Sequence, residues 1–354
     1  MSPMFVPGPV DVAEDVLKAQ TKAMMPHRSK DFEAIFRGAA EKLQKIFFTE
    51  QRVFIMTNSG SGAQEATIRN LANESVLSLA CGSFSKRWYD VAVANGKQTV
   101  KLEVPMGQPN LPEAVEAAFQ KQNFELITIV HNETSSGVRN PIKEIAELVH
   151  RISPETIIAV DAVSSLGGDK IPMDEWGLDV LFTSSQKTLA LPPGLALCAV
   201  SERAMQKAAT VKNRGWYFDF LLLEKHRVKD STPMTPAMSL VYALDYQLDR
   251  ILAEGIETRF ARHAAMAERA RSWAEAKGWS IVPPEGYRSQ TLTVVRNPES
   301  FSCAEFNKFI APRSMKLANG YGDLKDKSIR IAHMGEIHMD DLNKLLAALD
   351  EYTK

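Results

Sequence analysis

Cysteine is scarce in this 354-residue chain: Cys81, Cys198 and Cys303 lie far apart, with no Cys-x-x-Cys pair. The seven histidines include no His-x-x-x-His spacing. These gaps exclude a disulfide framework and the common zinc-site spacings. Sparse, odd-numbered thiols fit a reducing compartment. An excess of either charge is missing too: 42 Lys and Arg stand against 43 Asp and Glu, a net charge of −1. Nothing in that balance favours nucleic acid or an anionic membrane surface. No run approaches the ~20 apolar residues of a membrane span. The opening MSPMFVPGPV has no basic segment followed by an apolar one, so it does not read as a secretory signal. The chain is expected to be cytoplasmic, with no metal, nucleic acid or membrane as partner.

What is present is concentrated between Thr156 and Gly194. Two short apolar runs, Ile157–Val160 and Val180–Phe182, each end in polar residues that a core strand does not need. Asp161 follows the first, and Ser184-Ser185-Gln186-Lys187 follows the second. Ligands of open α/β sheets sit outside the carboxyl ends of parallel strands. An acid and an amine placed there can face one crevice. Pyridoxal 5'-phosphate (PLP) chemistry requires that pair: a lysine for the Schiff base, and a carboxylate that keeps the ring nitrogen protonated. Taken singly, each residue has an ordinary explanation. An Asp at a strand end is commonly a turn or capping residue, and a Lys there is commonly a solvated surface group. The surrounding turn sequences, Ser165-Leu-Gly-Gly168 and Pro192-Pro-Gly194, make the pair informative.

The segment resembles the core of the class V aminotransferases, a group of fold type I PLP enzymes that includes alanine–glyoxylate and serine–pyruvate aminotransferases. The resemblance rests on Asp161-Ala-Val-Ser-Ser-Leu-Gly-Gly168, Ser185-Gln-Lys187 and Pro192-Pro-Gly194. It implies Lys187 as the Schiff-base lysine, Asp161 as the ring-nitrogen partner and Gln186 as a neighbour of the cofactor phosphate. Further matches run in the family's order from Pro7 to Gly335.

Residues Met1–Val12 hold three prolines and read as an irregular arm. The resemblance puts Pro7 and Gly8 on the substrate pocket. Val53–Met56, a Gly–Ser turn and a helix from Gln64 form an arrangement that offers backbone N–H groups to an anion. The resemblance makes Ser61, Gly62 and Ala63 the phosphate cradle. Val76–Ala80 leads to Cys81-Gly-Ser-Phe84, where Phe84 is the expected stacking face for the ring. Ser85 stands where the family usually has Gly. Leu126–Val130 leads to His131-Asn-Glu-Thr-Ser-Ser-Gly137, in which Thr134 matches a hydroxyl contact to the ring. His131 receives no catalytic role. Leu195–Ser201 is a further strand, expected to run antiparallel.

Beyond Glu202, an aromatic cluster around Trp216 is placed where it can rim the pocket. Ser231-Thr-Pro-Met-Thr-Pro-Ala237 precedes a helix. By resemblance Thr235, with Thr232, reaches the cofactor of a second subunit, which implies a homodimer with composite active sites. The last part reads as strands Ser280–Val282 and Thr291–Val295, helix Cys303–Ile310, a strand ending at Ile331 and helix Met339–Tyr352. Ser328-Ile-Arg-Ile-Ala-His-Met-Gly335 implies Arg330 as the clamp for a substrate carboxylate. Gly320–Lys325 reads as a mobile loop over the site.

The expected fold is α/β of PLP fold type I. It has an N-terminal arm (1–15), a large domain with a mostly parallel seven-stranded sheet covered by helices (16–255) and a small α+β domain (256–354). The implied reaction moves an amino group from serine or alanine to glyoxylate or pyruvate. Other class V chemistries stay open: aminoethylphosphonate or aspartate transamination, cysteine desulfuration, or a non-catalytic subunit on the same fold.

Overall fold

Seven strands form one sheet in the computed structural model, which describes residues 3–298 and 300–354. In chain order the strands are β1 (Met4–Phe5), β2 (Arg52–Met56), β3 (Ser75–Ala80), β4 (Gln98–Glu103) and β5 (Leu126–Val130). Then come β6 (Asn132–Glu133), β7 (Val138–Arg139), β8 (Ile157–Asp161), β9 (Val180–Ser184) and β10 (Ala196–Val200). The last three are β11 (Leu292–Arg296), β12 (Lys316–Asn319) and β13 (Ser328–Ala332). The large sheet has the order β2-β10-β9-β8-β5-β3-β4. All neighbours pair in parallel except β10, which is antiparallel to both β9 and β2. This is the expected sheet, with the expected reversed strand.

Strands β5, β8, β9 and β10 are buried at every position. They can be, because helices cover both faces, and such strands read as unbroken apolar runs. Alternate residues of β2 separate the two cores: Val53 and Ile55 join one, Phe54 and Met56 the other. Helices Lys30–Phe47, Ile142–Ile152 and Met238–Glu254 pack on the first face. Helices Gly60–Leu71, Ser83–Ala94 and Glu202–Thr210 pack on the second.

The smaller sheet has the order β1-β12-β13-β11 and departs from the expectation in three ways. Its first strand is Met4–Phe5, so part of the supposed irregular arm pairs in parallel with β12. Strand β12 was not anticipated. Ser280–Val282 is no strand: only Ile281 bridges to Val295, and the following Pro283 and Pro284 have no N–H to extend a ladder. Helices Ile256–Ala276, Cys303–Ile310 and Met339–Tyr352 bury the apolar face of this sheet.

Candidate active site

The carboxyl ends of β2, β5, β8 and β9 open onto one cavity of 310 Å³, and the residues just past those ends line it. Asp161 ends β8 and is 6% exposed. Its Oδ1 accepts from the Val163 N–H at 2.9 Å, and its Oδ2 accepts from Gln64 Nε2 at 2.9 Å. Burial pushes the carboxyl up from 3.8 to about 6, against the pull of those two hydrogen bonds. Gln64 was missed in the sequence. The signal was there: it lies four residues after Gly60, so both sit on one face of the helix that points at the cavity.

Lys187 lies between this cavity and a second one of 440 Å³, and lines both. Burial lowers its amine from 10.5 to about 8; Arg330 and Arg87 push the same way and Asp161 opposes them. Its Nζ donates to the Pro7 carbonyl. Gly8 has φ +110°, and a Cβ there would lie 2.5 Å from Lys187 Cδ. Only glycine lets the arm cross the lysine stem so closely. The arm is held there by the Val10 N–H donating to the Gln186 carbonyl at 3.1 Å.

The helix Gly60–Leu71 starts at the cavity wall. Its N-cap Ser59 makes no capping hydrogen bond with its side chain. Ser59, Gly60 and Ser61 line the cavity beside Ser184 and Gln186. The first N–H groups of a helix have no partner inside it and carry the positive end of its dipole. A Cβ on Gly60 would sit 2.9 Å from Val163 Cγ2, so the helix start packs directly on the turn after Asp161. Ser184 Oγ and Gln186 Oε1 are buried without a hydrogen-bond partner.

A buried arginine fastens the segments. Arg259 is 1% exposed and donates to the carbonyls of Gly167 at 3.1 Å, Thr188 at 2.9 Å and Gly335 at 3.2 Å. Its charge is met by Glu254 at 2.7 Å and Glu336 at 3.0 Å. One guanidinium therefore ties the turn after Asp161, the residue after Lys187 and the segment after Arg330. The sequence placed Arg259 in a plain charged helix and gave no sign of this.

The second cavity is lined by Pro7, Gly8, Phe84, Thr134, Lys187, Tyr321 and Arg330. Arg330 Nε donates to the Asn319 carbonyl at 2.8 Å, and Nη1 lies 3.4 Å from the Thr134 carbonyl. Among the described residues no carboxylate lies within 4.0 Å of its guanidinium. Phe84 and Thr134 line both cavities. The Phe84 ring is contacted by Tyr321, stacked at 5.6 Å and 18°, and by the Arg87 guanidinium at 5.1 Å.

Against this geometry the comparisons are direct. The chain matches the family described as aminotransferase class-V over residues 12–311. It belongs to that family. A curated relative, an uncharacterized aminotransferase from Methanocaldococcus jannaschii, is 38% identical over 94% of this chain and 87% of its own length. L-aspartate–glyoxylate aminotransferase from Paracoccus denitrificans is 32% identical over 95% of this chain and 87% of its own. The solved structure of an alanine–glyoxylate aminotransferase from Nostoc sp. superposes with a TM-score of 0.93 at 29% identity, covering 99% of this chain and 95% of that one.

For this class-V aminotransferase, the structure gathers Ser61, Phe84, Thr134, Asp161, Gln186 and Lys187 on the first cavity, and Pro7, Gly8 and Arg330 on the second. Four expected residues stand apart. The N–H groups of Gly62 and Ala63 turn back onto the Ser59 carbonyl, at 2.9 and 3.4 Å, and neither residue lines the cavity. Thr232 is 6% exposed and donates to the Met234 carbonyl at 2.5 Å. Thr235 is exposed and lines neither cavity. Trp216, 62% exposed, rims neither cavity. His131 is a buried partner of Ser165 at 2.8 Å, and burial lowers its imidazole to about 4. The Gly320–Lys325 segment, expected as a loop over the site, borders the second cavity through Gly320 and Tyr321. It holds a short helical turn, Gly322–Leu324, and Leu324 is buried.

Proposed function

We propose that this aminotransferase uses PLP to move an amino group from a small amino acid, serine or alanine, to a small 2-oxo acid, glyoxylate or pyruvate. The observation that carries the reading is the meeting of Lys187 and Asp161 on one cavity. The residues fit the cofactor. The raised Asp161 carboxyl has an unmet need for a buried cation, which a protonated ring nitrogen supplies. The unpartnered Ser184 hydroxyl and the free helix start at Ser59–Ser61 suit a phosphate. When bound, the ring supplies an electron sink for bond changes at the substrate Cα.

The remaining steps belong to this chain. Arg330 holds the substrate carboxylate on its planar fork. Lys187, at about 8, carries a proton to and from the substrate Cα within an ordinary pH range. Asp161 keeps the ring nitrogen protonated. Donor and acceptor use the same residues in turn, so the kinetics are ping-pong. Thr235, which is exposed, completes the phosphate site of a second subunit in a homodimer, whereas the Thr232 hydroxyl is taken up by the Met234 carbonyl. The exposed Trp216, Tyr217 and Val228 on the same stretch of chain support a covered face there. The division into arm, large and small domains at 15 and 255 is part of this reading.

A second donor class has one observation in its favour. Arg87 lines the first cavity and Lys316 the second, and neither makes an ion pair among the described residues. A dicarboxylate donor such as aspartate would meet a spare cation. Desulfuration is disfavoured, because burial holds the thiols of Cys81 near 12 and Cys303 near 11, and raises Cys198 also.

The test loads the protein with PLP and screens donors against acceptors. Parent protein is expected to show the visible band of a lysine-bound cofactor and to transaminate alanine or serine with glyoxylate. Lys187→Ala is expected to lose both. Full activity in that variant would overturn the reading; aspartate outrunning alanine and serine would select the second donor class.

A further inference from the structure

Tyr321 has no part in the chemistry above, yet it touches two of its groups. Its ring stacks on Phe84 at 5.6 Å with an interplanar angle of 18°. The Arg330 guanidinium carbon lies 5.4 Å from the centre of the same ring. Tyr321 therefore bridges the aromatic wall shared by both cavities and the fork that faces the second. It lines the second cavity and not the first.

The phenol offers a face rather than a hydroxyl. Among the described residues its O–H makes no hydrogen bond, and the residue is 42% exposed. The backbone beneath it is held on both sides. The Gly320 N–H donates to the Ser328 carbonyl at 2.7 Å, and Asn319 Nδ2 donates to Asp326 Oδ1 at 2.5 Å. Leu324 is buried with Val10, Val294 and Met334. The ring these contacts carry forms part of the wall of the second cavity.

Two consequences follow for Arg330. A guanidinium is planar, and an aromatic face is one of its favoured neighbours. Hydrogen bonding holds the guanidinium in its own plane, Nε on the Asn319 carbonyl at 2.8 Å and Nη1 at a longer 3.4 Å from the Thr134 carbonyl. The Tyr321 ring adds a contact on the guanidinium face, against rotation about the end of the side chain. The same ring also takes up part of the second cavity's wall, space that a long substrate side chain would otherwise have.

We propose that Tyr321 is a positioning and specificity-determining residue: its aromatic face sets the plane of the Arg330 fork and its bulk confines the donor to short side chains. This rests on the reading of Arg330 as the carboxylate site. The experiment compares parent, Tyr321→Phe and Tyr321→Ala proteins, each loaded with PLP. Steady-state kinetics use alanine and leucine as donors, and calorimetric titration uses propionate as a non-reacting carboxylate. Tyr321→Phe is expected to match the parent, since the ring face is kept. Tyr321→Ala is expected to raise KM for alanine and weaken propionate by about tenfold, the scale of a lost cation–π contact, with kcat nearly unchanged. Its leucine-to-alanine ratio of kcat/KM is expected to rise by about the same factor. Parental propionate affinity and an unchanged donor ratio in Tyr321→Ala would overturn the proposal, as would equal impairment of Tyr321→Phe. A parent that fails to transaminate any donor sinks the reading of the site instead. The propionate titration still decides the role of Tyr321 in that case, since equal affinity in parent and Tyr321→Ala overturns it.

Discussion

Lys187 is held in a state that costs the empty protein stability. Its amine titrates near 8 in the fold and at 10.5 when solvated. Between those values the unfolded chain binds more protons than the folded one, so stability rises with pH across that window. Below pH 8 the cost is fully present; a shift from 10.5 to about 8 corresponds to about 3 kcal/mol. Lys187→Met keeps most of the stem and removes the charge. Cofactor-free Lys187→Met is expected to be more stable than the parent at pH 7, by up to that amount. The advantage should shrink as pH rises from 8 to 10.5, as read by urea unfolding at both ends. Asp161 works in the opposite direction: its carboxyl is raised to about 6, so the stability it contributes declines as pH rises from about 4 through 6. These two residues were legible in the sequence because each sits in a turn motif at a strand end. For Gln64 only the helix face was legible, four residues after Gly60; that it serves Asp161, 97 positions away, was not.

At the scale of elements, the turn after β5 and the start of helix Ser83–Ala94 form one unit, built on the Glu133 carboxylate. Glu133 is fully buried and accepts from the N–H groups of Phe84 at 3.1 Å and Ser85 at 2.9 Å. It also accepts from the hydroxyls of Ser85 at 2.9 Å and Ser135 at 2.6 Å. The family departure at Ser85 is thereby explained. Its hydroxyl reaches Glu133 and accepts from the Cys81 N–H at 2.9 Å and the Gly82 N–H at 3.0 Å, which a glycine cannot do. Glu133→Ala leaves several buried donors unmet, and at about 1–3 kcal/mol for each such group it is expected to cost at least several kcal/mol. Ser85→Gly should cost about 1–2 kcal/mol, because backbone donors lose one acceptor each. Urea unfolding measures both. A loss of cofactor affinity should accompany Glu133→Ala, since Phe84 stands on the same turn. The central strands β5, β8, β9 and β10 were readable as mainly apolar runs because they are buried at every position. Strand β12, with exposed Lys316 beside buried Leu317 and Ala318, carries no such run. Two-residue β1, between Pro3 and Pro7, has even less local signal; its pairing is made by a partner more than three hundred residues away.

On the scale of the whole molecule, one protomer gathers the lysine, the acid, the helix start and the carboxylate fork, but leaves Thr235 in solvent. The composite dimer proposed above would give that exposed threonine a second subunit to meet, and the sequence could point to it only by resemblance, because a contact between two chains leaves no periodicity in either. The proposed dimer predicts a particular complementation. In a hybrid of one Lys187→Ala subunit and one Thr235→Ala subunit, both lesions fall on a single site if each site takes Lys187 from one chain and Thr235 from the other. The second site then receives an unaltered lysine and an unaltered threonine. If Thr235 serves its own chain, every site in the hybrid carries one lesion. Co-expressed variants bearing different affinity tags allow the hybrid to be purified, at about twice the 39.3 kDa of the chain. It is expected to hold one site per dimer with parental cofactor affinity, titrated by the visible band. A hybrid in which no site reaches parental affinity would show that Thr235 acts within its own subunit, and a chain that sediments at 39.3 kDa when loaded would leave it no second subunit to serve.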